Sequence, residues 1–217
     1  MKALVIAILF IASFISAHAY AQELTINVLN FSRATNSDKV RVYEALRLIS
    51  KVVNSEEFRN NILDMTYKVG KKTYSGFAQT RKTTDEVLRS ILEAEENFKG
   101  GQLGVIDLYM KMYYERCNIF KCVVGYTSQS DKYFHMNRYL QRNYSPAKTA
   151  GNIVHEWLHK IGHGHTKRSN SFRPHSVPYK IGNLIAKMAA KIAAEENPNQ
   201  KMSPESRFAF DEEQCTH

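Results

Sequence analysis

Between residues 155 and 165 the chain reads His-Glu-Trp-Leu-His-Lys-Ile-Gly-His-Gly-His, a stretch holding the residue types of a metal-dependent hydrolytic centre. Pro146 and the apolar positions Ile153, Val154, Trp157, Leu158 and Ile161 predict a helix that begins near Ser145 and buries one stripe. His155 and His159 are four residues apart. At about 1.5 Å rise per residue, that spacing sets two imidazoles one turn apart on the opposite face, close enough to share one cation. Glu156 stands beside the pair without needing to ligate. A helix cannot aim a third ligand back at the same ion. Gly162 can take positive φ, end the helix and return the chain so that His165 closes the site.

Three neutral imidazoles on one Zn²⁺ leave a fourth position for water, whose pKa falls to about 7 on such an ion. Glu156 is then placed to take its proton and carry it to the leaving amine, while a peptide carbonyl is polarised by the same ion. No covalent intermediate is required. The developing oxyanion needs a second donor, which a Tyr hydroxyl can supply. His163 competes with His165, because it follows His159 by four residues, but it aligns with the other two only if the helix runs through Gly162. A row of cationic histidines meeting a helix dipole is the incidental reading. It explains neither Glu156 nor the glycine.

The elements that must position this stretch are legible in outline. Leu24, Ile26 and Val28 alternate and predict a strand over residues 23–29. Val42, Leu46, Ile49 and Val53 predict a helix from about 37 to 54, and Gly70-Lys71-Lys72 suggests a hairpin turn inside an otherwise ambiguous stretch from 55 to 80. Thr83 and Glu86 form a capping box for a helix expected to end before Gly100 and Gly101. The strict alternation from Val105 to Tyr114 is the clearest strand, and extended runs are expected at 122–126 and 133–140 around a polar turn at 128–131. Ile181, Leu184, Ile185, Met188 and Ile192 predict a last helix from near Pro178. This order predicts an α+β domain: a mixed sheet, an active-site helix and a small C-terminal helical part.

The first 21 residues read as a secretory leader, with Lys2, an apolar run from Ala3 to Ile15 and small residues at Ala17, Ala19 and Ala21. That predicts a secreted or periplasmic protein with no stable membrane insertion, and residues 22–217 as a single domain. The formal net charge of +9 falls by one with Lys2, and its basic residues are spread along the chain. Such a distribution describes a solvated surface or attraction to acidic substrates and anionic envelopes; without a binding motif it does not point to nucleic acid. Cys117 and Cys122 read as a local disulfide, leaving Cys215 as a free thiol, an intermolecular bridge or a longer-range partner.

The spacing His-Glu-x-x-His-x-x-Gly-x-x-His resembles the zinc signature of the metzincin metallopeptidases, whose members include astacins, serralysins and matrixins. The resemblance covers eleven residues and matches every defining position. It implies a zincin-like fold, one catalytic zinc ion on His155, His159 and His165, Glu156 as general base and Gly162 as the bend. It also implies that the run 133–140 is the antiparallel edge strand that pairs with an extended substrate. In astacins and serralysins a turn reading Ser-x-Met-x-Tyr lies under the metal. Here the corresponding place reads His175-Ser176-Val177-Pro178-Tyr179, so Val177 stands where the methionine would be and Tyr179 where a transition-state-stabilising tyrosine would be. Glu195 or Glu196 would be the downstream carboxylate ligand of a gluzincin peptidase, a reading that leaves Gly162 and His165 without a role. The function expected is an exported zinc endopeptidase acting on protein or peptide substrates, with restraint from export, narrow specificity or a separate inhibitor. The alternatives are a catalytically silent zinc-binding module at the cell envelope, and a basic envelope-binding protein with incidental histidines.

Overall fold

In the strand predicted after residue 104, Ile106, Leu108, Met110 and Met112 are buried while the residues between them are half-buried. One sheet face is therefore core and the other meets solvent. The computed structural model describes residues 23–94, 96, 103–116 and 123–198. Its main sheet has four strands, β1 (Thr25–Ser32), β4 (Val105–Tyr113), β6 (Phe134–Asn137) and β5 (Gly125–Tyr126), in that spatial order. β1, β4 and β6 are parallel, and β5 runs antiparallel to β6 along the edge. A separate hairpin pairs β2 (Thr66–Val69) with β3 (Lys72–Ser75) around the expected turn at Gly70.

The helices are α1 (Asn36–Val53), α2 (Glu56–Leu63), α3 (Thr84–Glu93), α4 (Arg138–Gln141), α5 (Pro146–Lys160) and α6 (Val177–Glu196). Local chemistry explains the starts. Thr35 with Asp38, and Thr83 with Glu86, form reciprocal capping boxes on α1 and α3. Ser145 caps α5 ahead of Pro146, whose missing N–H costs nothing there. Val42, Leu46 and Ile49 of α1, Ile153, Trp157 and Leu158 of α5, and Ile181, Ile185 and Met188 of α6 share one core with the buried face of β4 and β6. Each such side chain stabilises the fold by about 1.5–3 kcal/mol, which fixes the rotation of α5 about its axis. α5 and α6 meet at a pair of glycines: a Cβ on Gly182 would lie 3.0 Å from the Gly151 carbonyl oxygen and 3.2 Å from His155 Cβ.

The mixed sheet and helices give the α+β class expected, with several differences in detail. The run 133–140 is not one strand: β6 stops at Asn137, whose buried side chain accepts from Tyr139 N–H and starts α4. Nor is that run the edge, because β6 lies between β4 and β5; the antiparallel edge is β5. α3 does end before the glycines, at Glu93, capped by Ala94 in a left-handed conformation. The ambiguous stretch holds α2 as well as the hairpin. The leader, Cys117, Cys122 and Cys215 lie outside the described residues. No helix among the described residues is long and apolar enough to cross a membrane.

Candidate metal centre

With Ile153, Val154, Trp157, Leu158 and Ile161 all buried in the core, α5 presents His155 and His159 together, their ring centroids 5.1 Å apart. The helix then stops as the glycine predicts. Gly162 has φ 89°, its N–H donates to the His159 carbonyl at 3.3 Å, and His163 N–H donates to the Leu158 carbonyl at 2.9 Å. This pair of bonds is the Schellman arrangement, with glycine in the left-handed position.

Beyond the turn the two competing histidines part. His163 is buried, and its Nε2 lies 2.8 Å from Ser90 Oγ. Because the Ser90 hydroxyl donates to the Val87 carbonyl at 2.8 Å, His163 is the donor in that contact. Burial pushes the His163 imidazole down to about 4, with Lys82 and His159 adding to the effect. His165 instead returns to the other two: one ring nitrogen from each of His155, His159 and His165 lies within 4.8 Å of the others, close enough to bind a metal ion.

The donor chemistry fits a cation held by neutral imidazoles. His159 Nδ1 donates to the His163 carbonyl at 2.8 Å and His165 Nδ1 to the Thr166 carbonyl at 3.1 Å, leaving Nε2 of each ring as the lone-pair donor. His155 Nε2 and His165 Nε2 are 3.4 Å apart. Ligands at about 2.0–2.1 Å around a tetrahedral ion stand about 3.3–3.4 Å from one another, so this pair already has the spacing of two such ligands.

Glu156 is not one of the three grouped side chains. It is buried under the edge strand, where a Cβ on Gly125 would lie 3.0 Å from Glu156 Oε1 and 3.2 Å from its Cγ. Its Oε2 has no hydrogen-bond partner, and burial pushes the carboxyl up to about 8. Tyr179, buried in the first turn of α6, sets its ring centroid 4.7 Å from His155 and 4.9 Å from His165. The Arg173 guanidinium lies 5.4 Å from the same ring. Thus an aromatic ring packs against two of the imidazoles, while Val177 is buried in the core.

The structure does not bring the downstream carboxylates here. Glu196 pairs with Arg47 at 2.6 Å and with Lys51 at the far end of α6, and neither it nor Glu195 joins the histidine group. Met188 is in the core. His135 stacks on Tyr126 with centroids 4.4 Å apart, and Asn137 is buried and bonded to the Glu115 and Val123 carbonyls. Sequence reasoning missed Ser90, Gly125 and Gln79, because each matters through a partner distant in sequence. Comparison with protein-family models, curated proteins and solved structures returned no match to this chain.

Proposed function

We propose that this chain is an exported zinc endopeptidase of the metzincin type. The reading rests above all on three imidazoles converging within 4.8 Å beside a carboxylate that is not among them. His₃ sets with an open position are characteristic of catalytic zinc. When bound, the ion would supply Lewis acidity toward a scissile carbonyl and a water. His155, His159 and His165 hold it, two of them through rings whose Nδ1–H groups are already committed to carbonyls. Glu156 takes the proton from the water and delivers it to the leaving amine. A cation at the adjacent imidazoles favours its charged form, opposing the burial that raises it. Tyr179 is assigned the hydroxyl that steadies the oxyanion, on the strength of its contacts with two imidazoles. Extended substrate would add to the side of β5 away from β6, where no strand pairs with it among the described residues.

The test is cleavage of an unstructured protein such as casein by zinc-loaded protein. Glu156→Gln should retain zinc and lose about 10²–10⁴-fold in rate; undiminished cleavage would remove Glu156 from the mechanism. A second reading, a catalytically silent zinc-binding module at the envelope, is favoured by the burial of Glu156. Zinc uptake without hydrolysis across a broad substrate panel would select it. A wild-type protein that takes up no zinc would leave neither reading standing.

A further inference from the structure

Gln79 is exposed, yet its backbone sits at φ 61°, a region that side chains with a Cβ disfavour. Strain of this kind persists where surrounding contacts hold it, and here those contacts all go to the segment carrying His165. Gln79 Oε1 accepts from Thr166 N–H at 2.8 Å, while its Nε2 donates to Thr166 Oγ1 at 3.1 Å and to Asn170 Oδ1 at 3.4 Å. The Thr166 carbonyl is the group that receives His165 Nδ1–H at 3.1 Å. One amide therefore grips Thr166, the residue whose carbonyl holds the third imidazole.

The neighbouring residue extends the same tie to the floor of the site. Ala78 N–H donates to the His175 carbonyl at 2.8 Å and Ala78 bridges Ser176, the N-cap of the helix that carries Tyr179. Asn170, gripped by Gln79 on one side, accepts from Arg173 N–H at 2.9 Å on the other. We infer that Gln79 is a positioning residue for the third metal ligand, its carboxamide fixing Thr166 and through it the His165 imidazole. The inference rests on the reading of the three histidines as a metal site. Glycine would adopt the backbone more easily but has no amide to offer.

Gln79→Ala and Gln79→Gly separate side chain from backbone, since both remove the amide and the second also relieves the φ. In competition with a chromophoric chelator, both variants should bind zinc about 10-fold more weakly than wild type, the low end of the effect of losing a ligand's hydrogen-bond partner, because Gln79 acts through Thr166. In the zinc-loaded variants the ¹⁵N resonance of His165 Nδ1 should move while those of His155 and His159 stay, a selectivity that general destabilisation would not produce. In metal-free protein the Thr166 amide should exchange faster in both. Wild-type affinity in both variants would overturn the assignment, as would recovery of affinity in Gln79→Gly alone, which would place the effect in the backbone. Wild-type protein that takes up no zinc would overturn the metal reading itself, and Thr166 exchange would still report whether the grip exists.

Discussion

His163 donates Nε2–H to Ser90 Oγ at 2.8 Å, and this contact between α3 and the turn after α5 decides which histidine faces the metal group. Gly162 alone permits either outcome; Ser90 gives His163 a buried partner, and the chain reaches His165 before it can turn back. His165→Ala should therefore abolish tight zinc binding. His163→Ala should keep it while destabilising the fold by about 1–3 kcal/mol, the range for losing a buried hydrogen-bonding side chain. Chelator competition and thermal melting of both variants check the pair; the assignment is wrong if His163→Ala is the one that loses the metal.

Acid stability of the metal-free protein should carry the signature of His163. Its folded value is about 4 against an ordinary 6.5, so between these the unfolded chain binds more protons. The contribution is complete above about pH 6.5 and is lost as pH falls toward about 4, roughly 3 kcal/mol in all. Glu156 acts in the opposite sense. Raised from 4.5 to about 8, it contributes below the lower value and loses that contribution as pH rises through the upper one. Urea unfolding across pH should thus show a shallower acid slope in His163→Ala and a shallower fall between about pH 4.5 and 8 in Glu156→Gln than in wild type.

Gly182 marks where α6 approaches α5, and a methyl group there would press on the Gly151 carbonyl and on His155 Cβ. One of those neighbours is backbone and the other is fixed to a ligand, so neither yields cheaply. Gly182→Ala should cost about 1–3 kcal/mol by overpacking and weaken zinc binding as well. Equal stability loss with wild-type zinc affinity would show that His155 tolerates the displacement. Calorimetric melting alongside zinc titration separates the two effects.

What was legible in the sequence was local. The helical period gave the buried stripe of α5, and four-residue spacing gave His155 and His159; Gly162 gave the bend, and alternation gave β4. Capping boxes at Thr35 and Thr83 work within one turn, though only the second was anticipated. Sheet order was not legible, since the parallel register of β6 on β4 joins residues some two dozen positions apart and one short edge strand carries no periodic signal. Asn137 looked like an alternating strand residue because its role, binding the Glu115 and Val123 carbonyls, needs the fold to be known first. Gln79 has the same difficulty twice over, in its unusual φ and in its distant partner.

Tyr179 combines two roles that substitution can separate. Its ring meets His155 at 81° and His165 at 46°, contacts that phenylalanine reproduces. Its hydroxyl is the proposed oxyanion donor, which phenylalanine lacks. Tyr179→Phe should hold zinc within about twofold of wild type and keep KM, yet lose about 10²–10³-fold in kcat, the range for removing one oxyanion donor. Tyr179→Ala should destabilise by about 3–5 kcal/mol through the cavity it leaves and loosen the metal. If Tyr179→Phe turned over substrate at the wild-type rate, the hydroxyl would have no part in the chemistry. The ring would remain as a packing surface against two imidazoles.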